Sequence, residues 1–311
     1  MTRVVAPTGF GGPEQLALTE VPTPEPGPGE VRLAVRAIGV NPIDWKSYSG
    51  LIGRDPAALG TMGSEVSGVV AAVASGVEHW SVGDEVIAPR VPGPAYATDV
   101  IVPAEGLIAK PTGLSFEQAA AVTLVGGTAA HALEAAHVQR GDTLLVHGGA
   151  GGVGGLVVQL AARRGARVIA TAGDRNQSYL RELGAEPLVY GDGLLDRVRE
   201  AAPDGVDAVI DTVGTDEAVD TSLALLEDPA RLVSIAAFMR GGDGITLIGG
   251  GPGADPGTEL RTRAWPEVAQ LVADGALSLP IERTYPLEQT ARAHRDSAAG
   301  HTRGKLVVVV D

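Results

Sequence analysis

The chain has no cysteine, which excludes disulfides and thiolate chemistry at once. Positive charge is in short supply: 24 Lys and Arg against 38 Asp and Glu give a formal charge of −14 at pH 7. So acidic a chain argues against nucleic acid or an anionic membrane as a main partner. No apolar run approaches the length of a membrane-spanning helix. The N-terminus, Met1-Thr-Arg-Val-Val-Ala-Pro7, lacks the apolar core of a secretory signal, so a cytoplasmic protein is expected. Internal repeats and low-complexity tracts are missing too. What remains is 311 residues of ordinary globular composition, 44% hydrophobic and 20% charged, enough for two domains with a substantial core.

One glycine cluster carries the most information. An apolar run, Thr143-Leu-Leu-Val-His147, is followed by glycines at 149, 151 and 154 and then by a helix-forming stretch from about Gly152 to Arg164. Gly149, Gly151 and Gly154 fit G-x-G-x-x-G in the frame of strand, tight turn and helix, which separates a dinucleotide site from a chance glycine run. One glycine makes the turn, one lets a pyrophosphate approach the backbone, and one lets helix and strand pack closely. Gly152 and Val153, at the helix N-terminus, offer unpaired N–H groups and the positive end of a dipole to phosphate. Arg167–Ala172 reads as the next strand of a βαβ unit. An NAD site would place an acid at its end, on the ribose 2′-OH. Ala172 and Gly173 stand there instead, and Arg175 is available for a 2′-phosphate, so NADPH is favoured over NADH. The bland alternatives are a solvated loop charge for Arg175 and a helix N-cap for Asp174.

Around this motif the chain changes period. The first third holds short strands at 16–20, 31–39, 66–74, 85–88, 96–102 and 107–109 with Gly and Pro between them, a compact β-rich unit of barrel type. Ser115 and Gln118 form a capping box that opens a helix. From Thr128 to about Gly249, helices alternate with strands at 143–147, 167–172, 187–190, 206–212, 231–237 and 244–248, the pattern of a doubly wound parallel sheet. The tail adds a helix near 265–274, a strand near 279–284, a helix near 287–298 and a strand at 305–310. The class is α/β, and the 244–248 segment is an apolar candidate edge strand.

Several stretches together resemble the zinc-independent medium-chain dehydrogenases/reductases of the quinone oxidoreductase (zeta-crystallin-like) branch. They are Gly39-Val-Asn-Pro-Ile-Asp-Trp-Lys46, Gly63-Ser-Glu-Val-Ser-Gly68, Val82-Gly-Asp-Glu-Val86, Val146-His-Gly-Gly-Ala-Gly-Gly-Val-Gly154, Asp211-Thr-Val-Gly214 and His301-Thr-Arg-Gly-Lys-Leu-Val-Val308. The resemblance covers essentially the whole chain, and because members of this branch often pair the edge strands of their cofactor domains, it implies a homodimer joined through 244–248. It implies a Rossmann dinucleotide-binding domain over 123–264 and a GroES-like catalytic domain over 1–122 plus 265–311. Zinc-containing relatives use a cysteine where this chain has Asn41 and a histidine where it has Ser64, and a further cysteine would fall near Val125. Without cysteine that metal site cannot assemble, and the six histidines show no ligand spacing on one helix face.

The resemblance further implies that NADPH delivers hydride to an activated small-molecule acceptor, a quinone or an α,β-unsaturated carbonyl, held in a cleft between the domains without metal. Asn41, Trp45 and Tyr48 are spaced to share a helix face. Asn41 either hydrogen-bonds the acceptor or the nicotinamide ribose, or caps the helix ahead of Pro42, or does both. Tyr48 and Lys46 are the candidate donors to a developing oxyanion, with a solvated lysine as the alternative for Lys46, and Trp45 reads as core packing before a ring-stacking platform. Asp44 and Glu65 are expected to be structural acceptors. On the cofactor side the resemblance places Thr128 near the nicotinamide phosphate and Tyr190 beside the adenosine phosphate. Relatives often carry a serine at Gly173 and a lysine at Gln177, which leaves Arg175 as the main support for NADPH. Thr212 and the 234–238 strand end, with Ala236 and Phe238, should face the nicotinamide. Arg303 and Lys305 either reach the cofactor from the tail or are surface charge. Acceptor choice is left to loops at 47–58, 89–95 and 238–263. Two other functions stay open: an enoyl reductase of one biosynthetic intermediate, and an NADPH-binding protein with little turnover.

Overall fold

Short apolar runs punctuated by proline and glycine give the strands of the first third. The computed structural model describes residues 1–51 and 60–311, so most of the 47–58 loop lies outside the described residues. Strands β1 (Thr2–Pro7) and β2 (Leu16–Val21) form a two-stranded antiparallel sheet, and β1 also bridges through Val4 to Ala97. The long β3 (Glu30–Val40) alternates buried and part-exposed residues, and its last four residues are all buried. Helix α1 (Pro42–Ser49) follows at once, with Asn41 at its N-cap, Pro42 at its first position and Gly50, at φ +83°, ending it. Then come β4 (Val66–Val73), β5 (Glu85–Ala88), β6 (Asp99–Pro103) and β7 (Ile108–Ala109). Helix α2 (Phe116–Ala135) opens on the expected box: the Gln118 N–H donates to Ser115 Oγ at 3.2 Å and the Ser115 N–H to Gln118 Oε1 at 3.5 Å.

From Thr143 the elements alternate: β8 (Thr143–His147), α3 (Gly152–Arg164), β9 (Arg167–Ala172), α4 (Gln177–Glu182), β10 (Glu186–Val189), α5 (Leu194–Ala201), β11 (Ala208–Asp211), α6 (Asp216–Leu223), β12 (Leu232–Ser234), β13 (Thr246–Leu247) and α7 (Thr258–Ala273). The six strands are parallel in the order β10-β9-β8-β11-β12-β13. Renumbered from β8, this is the doubly wound order 3-2-1-4-5-6, and it reverses between β8 and β11. All four residues of β11 are buried, as a strand covered on both faces requires. The tail, β14 (Ile281–Pro286), α8 (Thr290–Ala299) and β15 (Lys305–Val309), returns to the first sheet. β15 lies antiparallel to β3 and parallel to β14, giving β14-β15-β3-β4-β5-β7 with β6 paired to β3. The chain thus forms two units, Met1–Leu124 with Val268–Ala276 and Pro280–Asp311, and Val125–Glu267 with Leu277–Leu279.

Besides β1, which the sequence pattern does not mark, three elements differ from it. The strand expected at 231–237 stops at Ser234, because Ser234 Oγ accepts the N–H groups of Ala236 and Ala237 and turns the backbone out of the ladder. The helix expected from 265 begins at Thr258 and carries Pro266 inside it. Packing overrides propensity there: Trp265 lies so close to Gly127 of α2 that a Cβ on Gly127 would stand 2.6 Å from the indole nitrogen. The apolar 244–248 edge shrinks to two strand residues, with Ile245, Leu247 and Ile248 buried. Its outer side is not bare. The Asp255 N–H donates to Leu247 O at 2.9 Å and the Gly249 N–H to Asp255 O at 2.8 Å, so the chain covers its own edge. Among the described residues no helix is long and apolar enough to cross a membrane.

Candidate functional site

The glycine loop is built by close contact. Gly148 turns the chain after β8 with φ +77°, and a Cβ there would stand 2.4 Å from Thr212 Oγ1. Gly149 fills a gap between β9 and α4, where a Cβ would meet Ala170 Cβ at 2.8 Å and Leu180 Cδ2 at 3.0 Å. A Cβ on Gly154 would lie 2.2 Å from the Gly148 carbonyl oxygen, so only glycine lets the helix approach the turn. Gly151 is different. A Cβ there would meet only Gly148 O, at an ordinary contact distance of 3.5 Å, so no neighbouring side chain fills that face of the loop. Gly151 caps α3 with no side-chain bond, and the Gly155 N–H makes the helical bond to Gly151 O at 2.8 Å. The N–H groups of Gly152, Val153 and Gly154 thus precede the first intrahelical bond and sit at the positive end of the helix dipole. An open glycine face beside three such amides fits a diphosphate.

The other predicted cofactor residues of this unit gather at the carboxyl ends of the same strands, where ligands of such sheets bind. Gly173 follows β9 and Tyr190 follows β10. The structure brings them together, since a Cβ on Gly173 would be 3.6 Å from the tyrosine hydroxyl, and Tyr190 is 46% exposed. Arg175 is exposed on the turn after β9. Gln177 is used by the fold itself. Its amide donates to Ala172 O at 3.0 Å and Leu188 O at 3.3 Å, tying β9 to β10. Thr212 follows β11 and donates to His147 O at 2.7 Å across the point where strand order reverses. Asp211 accepts from Val213, Gly214 and the Ser234 hydroxyl, at 2.9, 3.0 and 2.6 Å, and fixes the ends of β11 and β12. Ala236 packs against Gly214, and Phe238 against Gly251. Thr128 is buried on α2.

In the other unit α1 stands over a buried polar cluster. The Asn41 N–H donates to Asp44 Oδ2 at 2.9 Å, and the Tyr96 hydroxyl donates to the same oxygen at 2.8 Å. Burial nevertheless pushes the Asp44 carboxyl up to about 6, outweighing those two bonds. The Asn41 amide is fully engaged: Nδ2 donates to Gly39 O at 3.3 Å and Glu65 Oε1 at 3.1 Å, while Oδ1 accepts from Lys305 Nζ. Because an ammonium only donates, this contact settles which amide atom is oxygen. Lys305 is 4% exposed, donates also to Val40 O at 2.9 Å and lies 3.5 Å from Glu65, which is wholly buried. Burial pulls its pKa below the usual lysine range, partly offset by Glu65. Lys305 is therefore neither surface charge nor free to reach a cofactor. Tyr48 is also wholly buried, its hydroxyl 2.8 Å from His294 Nδ1 and its ring stacked on the imidazole. Trp45 donates to Ser297 Oγ at 3.3 Å, so α1 packs on α8. Lys46 alone of the three α1 candidates is half-exposed, its ammonium 5.5 Å from the Trp45 ring centre. The Arg303 N–H donates to Glu282 at 2.8 Å.

Residues 27–112 match the family described as alcohol dehydrogenase GroES-like domain, and residues 183–308 match the one described as zinc-binding dehydrogenase. A quinone oxidoreductase of Pseudomonas aeruginosa is 36% identical over 96% of this chain and 97% of its own length. The chain belongs to the quinone oxidoreductase-type medium-chain dehydrogenases/reductases. The crystal structure of Escherichia coli quinone oxidoreductase complexed with NADPH superposes with a TM-score of 0.87 at 29% identity, covering 99% of this chain and 100% of that one. The CurK enoyl reductase superposes at 0.85 and 26% identity, covering 100% and 99%. One matched description mentions zinc, but this family member has no cysteine, and among its described residues no group of three His, Asp or Glu could hold a metal ion.

Sequence reasoning missed the partners behind the site. Lys305 had a readable signal, since a lone cation opening an apolar strand, Lys-Leu-Val-Val-Val, needs a buried counter-charge. Thr171, Ser222 and His294 had none, because their neighbours come from distant segments.

Proposed function

We propose that this chain is an NADPH-dependent reductase that transfers hydride, without metal, to a quinone or an α,β-unsaturated carbonyl. The observation that carries it is the open glycine face at Gly151, set beside the uncapped start of α3 at the strand-order reversal. Bound NADPH supplies the hydride. Gly149 to Gly154 hold the diphosphate, Arg175 meets the 2′-phosphate, and Tyr190 and Gly173 flank the adenosine. Thr128, Thr212, Ala236 and Phe238 line the nicotinamide side, and Arg303 adds charge from the tail. Lys46 donates a hydrogen bond to the oxyanion that forms on the acceptor. Asn41 and Tyr48 act through the position of α1, since their polar atoms are bonded within the fold. The working form is a cytoplasmic homodimer, which sedimentation at micromolar concentration tests.

Purified protein mixed with NADPH and a panel of quinones and enones should lose nicotinamide absorbance; silence across the panel would overturn the assignment. Reduction of an enoyl thioester in preference to every quinone would select the second reading, an enoyl reductase, which the likeness to the CurK enzyme supports.

A further inference from the structure

Beneath the glycine loop lies a chain of hydrogen bonds whose direction can be read from chemistry alone. His147, the last residue of β8, is 1% exposed. Its Nε2 is 3.1 Å from Ser222 Oγ on α6, and its Nδ1 is 3.3 Å from Thr171 Oγ1 on β9. The Ser222 proton is already placed, donated to Ala218 O at 2.6 Å. Ser222 therefore accepts from the imidazole, and Nε2 carries the proton. Burial pulls His147 down to about 4, although Asp211 opposes this, so the ring is neutral and Nδ1 is an acceptor. Thr171 must donate to it. The lone pair left on Thr171 Oγ1 faces the Gly148 N–H at 3.4 Å, and the Thr171 carbonyl accepts the Gly149 N–H at 3.0 Å. One threonine thus holds two successive loop amides, and its own hydroxyl is oriented through His147 and Ser222.

We propose that Thr171, His147 and Ser222 are positioning residues for NADPH, which keep the Gly148–Gly149 turn in the conformation that receives the diphosphate. This rests on the cofactor assignment above. Thr171 reaches the loop only through the backbone N–H groups of Gly148 and Gly149, so none of the three needs to touch the ligand.

The test is Thr171→Val, which removes the hydroxyl and keeps the branched shape, with Thr171→Ser as the conservative rescue. NADPH affinity is read by fluorescence titration, alongside kcat at saturating NADPH and affinity for adenosine 2′-monophosphate, which has no diphosphate. Loss of one or two linked hydrogen bonds predicts a Kd for NADPH raised about five- to tenfold. The kcat and the monophosphate affinity should stay within about twofold, and Thr171→Ser should return to near wild type. Unchanged NADPH affinity in Thr171→Val, an equal loss of monophosphate affinity, or no recovery in Thr171→Ser would overturn the proposal. If Thr171→Val does not fold, Ser222→Ala replaces it: a Kd raised about two- to fivefold is expected, and an unchanged one refutes. Wild-type protein that binds no NADPH would instead sink the cofactor assignment.

Discussion

Replacing Lys305 by methionine shortens the unbranched side chain by one atom and removes its charge from a buried site. The ammonium lies 3.5 Å from Glu65 and also donates to Val40 O and Asn41 Oδ1. At an effective dielectric of about 20, the attraction at that distance is about 5 kcal/mol. Desolvating the two ions offsets much of it in the native protein, but truncation leaves the Glu65 charge buried. Glu65 keeps three neutral donors, Thr123 Oγ1 at 2.5 Å, the Leu124 N–H at 2.8 Å and Asn41 Nδ2 at 3.1 Å, which soften the loss. Urea unfolding at pH 7 should show Lys305→Met destabilised by about 3 kcal/mol, near the lower end for breaking a buried pair. Adding Glu65→Gln removes the orphaned charge and should restore at least a third of that. A single variant within about 1 kcal/mol of wild type, or a double variant no better than the single, would refute the role assigned to the pair.

Gly154→Ala forces a Cβ against the Gly148 carbonyl and should lower both thermal stability and NADPH affinity, the latter more than about tenfold, whereas Gly151→Ala should melt like wild type and lose only affinity. Titration with NADPH after a melting curve separates the two. Arg175→Ala should raise KM for NADPH about tenfold and leave KM for NADH nearly unchanged, so steady-state kinetics with both nucleotides measures its part in selecting the 2′-phosphate. Burial pulls His294 down to about 4. With the folded value below the unfolded one, the unfolded chain takes the proton first, and stability present above about pH 6.5 is lost as pH falls towards 4, by up to about 3 kcal/mol. Asp44, pushed up to about 6, has the opposite sign, so the comparison must be with His294→Asn: the variant should lose less stability than wild type between pH 7 and 4.5, and equal losses would contradict the burial.

The glycine fingerprint was legible because its spacing, its strand and its helix are contiguous, and each glycine answers to a contact within the same βαβ unit or the strand beside it. The doubly wound parallel class followed from the alternation of elements, for the same reason, while the strand order is seen only in the structure. What one stretch of sequence could not disclose was the other end of each polar bond. In the sequence Asn41 reads equally as cap or ligand, and only Lys305, from the far end of the chain, and Glu65, just ahead of β4, show its amide fully engaged. Tyr48 looked available on a short polar helix until α8 supplied His294. Ser234 ended its strand early through a side-chain bond that apolar patterning does not register.

The bridge at Asp255 bears on how copies of this protein meet. A neighbouring polypeptide can extend the parallel sheet past Leu247 only after the 249–257 segment lifts away and surrenders two main-chain hydrogen bonds. Self-association along that flank would wait on a local opening, and its rate would level off as concentration rises instead of climbing with it.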